Sequence, residues 1–204
     1  GLRRRDCSGN GLPGLVVVGS HVRLADQQLE HLLLDSRCIG VELPVARVAR
    51  ILEGGIPDLL LPDLERELQG FIEAVLRSGR TPVLFTSRGE LHFGSGEAAA
   101  ELRLIFGMQL ARVMARLVAS LVPQLGYVIS KGGITTGTLL RDGFDLSSVD
   151  LEGQLLPGLS LVLAMVGADH SAEFSAALPV VTFPGNLGEP ETLRQAWLLM
   201  EHGA

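Results

Sequence analysis

Lysine is nearly absent from this chain: 16 of its basic residues are arginine and one, Lys131, is lysine. Cysteine is scarce too. Cys7 and Cys38 are the only two, too few for a disulfide framework or a thiolate metal site, and a reducing cytoplasm is the expected compartment. Aromatic residues make up 4%, which argues against a stacking platform for single-stranded nucleic acid. The net charge of −6 argues against nucleic acid in general. No uninterrupted apolar run approaches the ~18 residues of a membrane span, so no membrane partner is expected. No apolar segment follows Arg3, Arg4 and Arg5, so no secretory signal is expected. The histidines His21, His31, His92, His170 and His202 show no metal-ligand spacing. A Walker A loop, a Gly-x-Gly-x-x-Gly fingerprint and a nucleophile elbow are all missing.

What the chain has is apolar residue in quantity. At 47% of 204 residues it can bury one large α/β core. Residues 1–14, rich in Gly and Arg, read as a linker or truncated tail, and residues 15–204 as one domain. Leu15 to Val18 is a continuous apolar run of the kind buried on both sheet faces. Further strands are expected at Cys38–Val45, Pro82–Phe85, Tyr127–Ser130, Leu159–Val166 and Pro179–Phe183. Helices are expected at Ala25–Ser36, from Pro62 in a first turn to Ser78, over Glu97–Val122, briefly from Thr136, and over Glu189–Glu201. In the long helix Leu102, Ile105, Phe106, Leu110, Val113, Met114 and Leu117 recur at core-facing spacing. Alternating strands and helices predict a three-layer, Rossmann-like α/β domain with a mostly parallel sheet flanked by helices.

Four of these strands end in small or polar residues: Val18-Gly19-Ser20, Phe85-Thr86-Ser87-Arg88, Ser130-Lys131-Gly132-Gly133 and Phe183-Pro184-Gly185-Asn186. In a parallel sheet such tips share one rim, where ligands bind. Together they supply backbone N–H groups, hydroxyls from Ser20, Thr86, Ser87, Thr135 and Thr136, and the cations Arg88 and Lys131. That inventory suits a polyphosphate. Thr135 or Thr136 is expected to cap the following helix. Lys131 reads either as a phosphate contact or as a solvated loop-edge residue. Arg88 reads as an anion clamp or as the partner of an acid, and His21 could touch a base or ribose. Asp142, Asp145 and Asp150 read as a solvated loop, or as the source of one Mg²⁺ contact.

These segments resemble, in order, the motifs of the C-terminal nucleotide-binding domain of the four-carbon acid sugar kinase family. They are Val-Val-Gly19-Ser20-His-Val with Gln28-Leu29, Thr86-Ser87-Arg88, Lys131-Gly132-Gly133-Ile134-Thr135, Gly153-Gln154-Leu-Leu-Pro157-Gly158 and Phe-Pro184-Gly185-Asn186-Leu-Gly188. The resemblance implies ATP-dependent phosphorylation of threonate, erythronate or their 3-oxo forms, with Mg²⁺. It implies ATP contacts at Ser20, Gly132, Gly133, Ile134, Thr135 and Gly185, in a rim that also includes Asn186 and Gly188. It further implies a sugar-acid-binding domain, as a missing half or separate subunit, that supplies the catalytic base; alone the chain would turn over little. Homo-oligomerisation is expected from the apolar face left uncovered. The alternative is a non-catalytic remnant serving as a nucleotide-binding or assembly module. Two positions depart from the family pattern: Ala25-Asp26 stands where Thr-Thr is usual, and Thr136-Gly137-Thr138 where Ser-Ser-Asp is usual.

Overall fold

The computed structural model describes residues 2–54, 57–88, 95–166 and 177–203; His92 and His170 lie outside them. Among these residues seven strands form one sheet in the order β2-β3-β1-β4-β7-β6-β5. The strands are β1 (Gly14–Val18), β2 (Cys38–Leu43), β3 (Thr81–Thr86), β4 (Tyr127–Lys131), β5 (Asp150–Leu156), β6 (Leu159–Ala164) and β7 (Leu178–Phe183). The five from β2 to β7 in that order run parallel, while β6 and β5 join as an antiparallel edge. The helices are α1 (Arg23–Leu33), α2 (Val45–Glu53), α3 (Pro57–Arg77), α4 (Glu97–Leu121), α5 (Gly133–Thr138) and α6 (Thr192–His202).

The central strand shows why the chain layers as it does. Every residue of β1 is buried. Leu15 and Val17 face a core built with α2, α3 and α4. Val16 and Val18 face a second core with Leu29 and Leu32 of α1 and Leu193 and Trp197 of α6. The result is the expected three-layer α/β sandwich.

Four local departures have physical reasons. Helix α2 was not expected, because its apolar Val45, Val48 and Ile51 alternate with arginines in only nine residues. Its first N–H is capped from afar, by Ser87 Oγ at 2.8 Å. Strand β5 was not expected either: it is an exposed edge strand with register shifts, so it carries no apolar alternation. Helix α3 starts at Pro57, and Pro62 lies inside it rather than opening it. Residues 2–13 are not frayed. Arg4 N donates to Gly126 O at 2.9 Å, Gly126 N to Pro13 O at 2.7 Å, and Arg3 pairs with Glu201 at 2.9 Å.

Helix α4 is the longest element. Its 25 residues span about 37 Å, against roughly 17–20 Å for the strands it covers. The second half packs on the sheet. The first half overshoots it, so Leu102, Leu104 and Ile105 are about half exposed, although the helical spacing placed Leu102 and Ile105 inward. By length and composition α4 could cross a membrane, but half of its apolar window is buried against this core.

Candidate functional site

The chain leaves β1 for β2 and β3 on one side and returns to place β4 on the other. The order therefore reverses between β1 and β4, the position where parallel sheets bind ligands beyond their strand ends. Strands β3, β1, β4 and β7 are consecutive and parallel there, so the four tips do share one rim.

Close backbone approach joins three of them. Gly132 sits at φ +120°, between β4 and α5, where a Cβ would meet Ser20 N and Thr135 Oγ1 at 3.2 Å. At Gly185 a Cβ would lie 2.5 Å from Ser20 Oγ. Only glycine fits either place without displacement. The ladder continues into the tips through Gly19 N to Lys131 O, 3.1 Å, and Gly132 N to Phe183 O, 2.9 Å. Ser20, Gly132, Thr135 and Gly185 are thereby brought together, with Gly133 and Ile134 exposed at the start of α5.

The expected cap is not made by either threonine. Gly132 occupies the cap position and Thr135 and Thr136 are inside α5. Thr135 is buried against Gly19. Thr136 Oγ1 lies 3.0 Å from the Ser130 carbonyl, to which it donates, and 2.9 Å from Ser130 Oγ. Thr136 thus fastens α5 to β4, and Thr135 packs it on the β1 tip.

On the α5 side of β7 the rim opens into a groove of about 440 Å³, lined by Gly133, Thr136, Gly137, Leu140, Thr182, Phe183, Pro184, Gly185 and Asn186. Leu140 and Thr182 carried no sequence signal for this role, since their side chains are common in any core. Two larger clefts of about 500 Å³ lie between α2, α3 and α4, and beside α1 and α6. Neither gathers a strand tip, so volume alone does not locate the site. Gly188, at φ +85°, lies past the groove and packs on Thr192.

The β3 tip behaves differently. Thr86 is buried and meets His21 Nε2 at 3.0 Å. Partial burial, and then the Arg88 charge, hold the His21 imidazole below its ordinary pKa. The Ser87 hydroxyl is engaged with Val45 N and Leu43 O, away from the rim. Arg88 Nη1 donates to Ser20 O at 2.7 Å and faces Asp26 Oδ1 at 3.0 Å, a charge contact without hydrogen-bond alignment. Its Nε and Nη2 are buried and have no hydrogen-bond partner among the described residues. Asp26 thus pairs with a rim cation; it does not cap α1, whose cap residue is Val22.

Lys131 is fully buried, which excludes the solvated reading. Its Nζ donates to Pro184 O at 3.1 Å and sits 3.9 Å from the Phe183 ring centre. Burial pulls its pKa down to about 8. Asp142 is paired with Arg141 at 2.6 Å and Arg112 at 3.6 Å, and among the described residues no three acidic, His or Cys side chains gather.

A three-layer α/β domain with four strand tips gathered at its switch point is the class defined by this fold and rim. Comparison makes it specific: the model of the nucleotide-binding C-terminal domain family matches residues 15–193, and the chain belongs to that family, the domain its motifs resemble. No curated protein matches it. Among solved structures it is similar to a Bordetella bronchiseptica protein of the DUF1537 family, described as a domain-swapped dimer with bound citrate, at 23% identity and TM-score 0.65, over 93% of this chain and 41% of that one. A Haemophilus influenzae DUF1537 protein is 14% identical at TM-score 0.63, over 97% and 42%. A Salmonella typhimurium protein described as a putative tRNA synthase is 17% identical at TM-score 0.55, over 91% and 40%. The chain thus spans about two-fifths of the length of these proteins.

Proposed function

We propose that this chain binds ATP at the β1, β4 and β7 tips and serves as the nucleotide half of a kinase for four-carbon sugar acids. The observation that carries the reading is the meeting of Ser20, Gly132 and Gly185 beside a groove with apolar and backbone walls. The base would lie against Leu140, Phe183 and Pro184. The phosphates would run toward Ser20 and the Gly133–Thr135 backbone, with the Arg88 charge behind Ser20, whose carbonyl it holds. Asn186 edges the same groove. The rim offers Asp26 as its carboxylate, already paired with Arg88, and Mg²⁺, which needs few protein ligands when phosphates supply the rest, would arrive on the nucleotide. Bound ATP and Mg²⁺ supply the transferable phosphoryl group and its charge neutralisation; the residues here bind and orient. The sugar acid and the catalytic base belong to a further domain or subunit, and the exposed apolar first half of α4 is the surface for assembly with it or with a second copy. Calorimetry with ATP and Mg²⁺ tests the reading: saturable heat below millimolar nucleotide is expected, and none at that concentration rejects it.

One observation favours a second reading. The Asp26–Arg88 pair neutralises a rim cation, which weakens anion binding and suits a non-catalytic assembly module. Adding the sugar-acid-binding half of a related kinase separates the two, since restored phosphorylation supports the first reading only.

A further inference from the structure

Lys131 is buried in a way that a phosphate ligand is not. Its side chain shares a face with Tyr127 and Ile129, the face covered by α1 and α6. The groove opens on the α5 side, and Lys131 is not part of its wall. No carboxylate pairs with the ammonium among the described residues; it meets Pro184 O at 3.1 Å and the Phe183 ring at 3.9 Å. Burying an ammonium without a counter-ion is costly, and a methionine would fill the same space. The fully buried Gln28 of α1 donates from Nε2 to Leu187 O at 3.0 Å and Glu189 O at 2.7 Å. Three carbonyls of the Pro184–Glu189 loop are therefore held, one from β4 and two from α1, and the groove-lining Gly185 and Asn186 lie between the held points.

We infer that Lys131 and Gln28 are positioning residues that latch the Pro184–Glu189 loop from beneath, presetting the groove wall without touching the ligand. The inference rests on the nucleotide reading only for what the loop is preset to hold. A pre-shaped wall lowers the ordering cost of binding, whatever the number of phosphates.

The test compares wild type, Lys131→Met and Gln28→Leu in two measurements. The first is titration with AMP, ADP and ATP. Each variant should raise Kd about tenfold and by the same factor for all three nucleotides, the size of one charge-assisted hydrogen bond lost at Lys131 or of two neutral ones lost at Gln28. A loss that grows from AMP to ATP would mean direct phosphate contact and overturn the latch. The second is amide hydrogen exchange of Leu187 and Gly188 without ligand, which should quicken in both variants; unchanged exchange also overturns it. Should wild type bind no nucleotide, the proposed function fails while the exchange result still decides the latch. Gln28→Leu keeps the test intact if Lys131→Met does not fold.

Discussion

At the scale of single residues, two charges on this rim have consequences that can be measured. Lys131 titrates near 8 in the fold against an ordinary value of 10.5. Above pH 8 the unfolded chain therefore binds more protons at this group, and stability rises with pH until about 10.5. Cys38 works the other way: burial pushes its thiol from 9.0 up to about 12, so its contribution is lost as pH climbs above 9. From pH 7 to 9 Lys131 should add about 1 kcal/mol, and urea unfolding at both pH values should find this gain in wild type and not in Lys131→Met. The second charge is Asp26, 3.0 Å from Arg88. Asp26→Asn removes an anion beside the proposed phosphate path and leaves Arg88 uncompensated. ATP should then bind about fivefold more tightly, the scale of one partly exposed charge interaction. Weaker binding in calorimetry would mean that Asp26 is needed to hold Arg88 in place.

At the scale of elements, the sequence was most readable where burial is two-sided. The runs of β1, β3, β4 and β7 announce themselves because both faces are covered, and their small or polar ends mark the rim in the sequence. What stayed hidden is non-local. Ser87 looked like a ligand hydroxyl, yet it caps α2 from more than 40 residues away. Thr135 and Thr136 looked like caps, but α5 opens at Gly132 and turns them onto Gly19 and Ser130. Strand β5 lacks a pattern because it is an edge strand whose first residues are exposed and only Leu155 and Leu156 pack against the core. A glycine inside α4, Gly107, is a weak point. Gly107 has open space where a Cβ would stand, so no packing reason opposes a side chain. Gly107→Ala should stabilise the domain by about 1 kcal/mol through helix propensity, measured as a higher urea midpoint at unchanged m-value.

At the scale of the whole molecule, the dominant fact is a helix that outruns its sheet. The overshooting half of α4 follows the β3 tip in the chain and extends past the strand ends, so whatever covers it lies beside the rim. It exposes Leu102, Leu104 and Ile105, and the start of α3, across the cleft lined by Pro57, Leu61 and Gln109, exposes Leu59 and Leu60. Apolar side chains grouped in this way mark contact surfaces, and the same fold occurs within chains of more than twice this length. If the proposed assembly uses this surface, the isolated chain should associate through it. Ile105→Glu puts a carboxylate into the patch and should lower the apparent mass by light scattering toward that of a single 21.7 kDa chain. The substituted position lies away from the core cluster, so the melting temperature of the monomer should hold and nucleotide titration should be unchanged. A wild-type chain already monomeric at high concentration would rule out self-association through α4 and leave the further domain as the partner of this surface. A variant that loses nucleotide binding while remaining folded would instead place the overshooting helix within reach of the ligand.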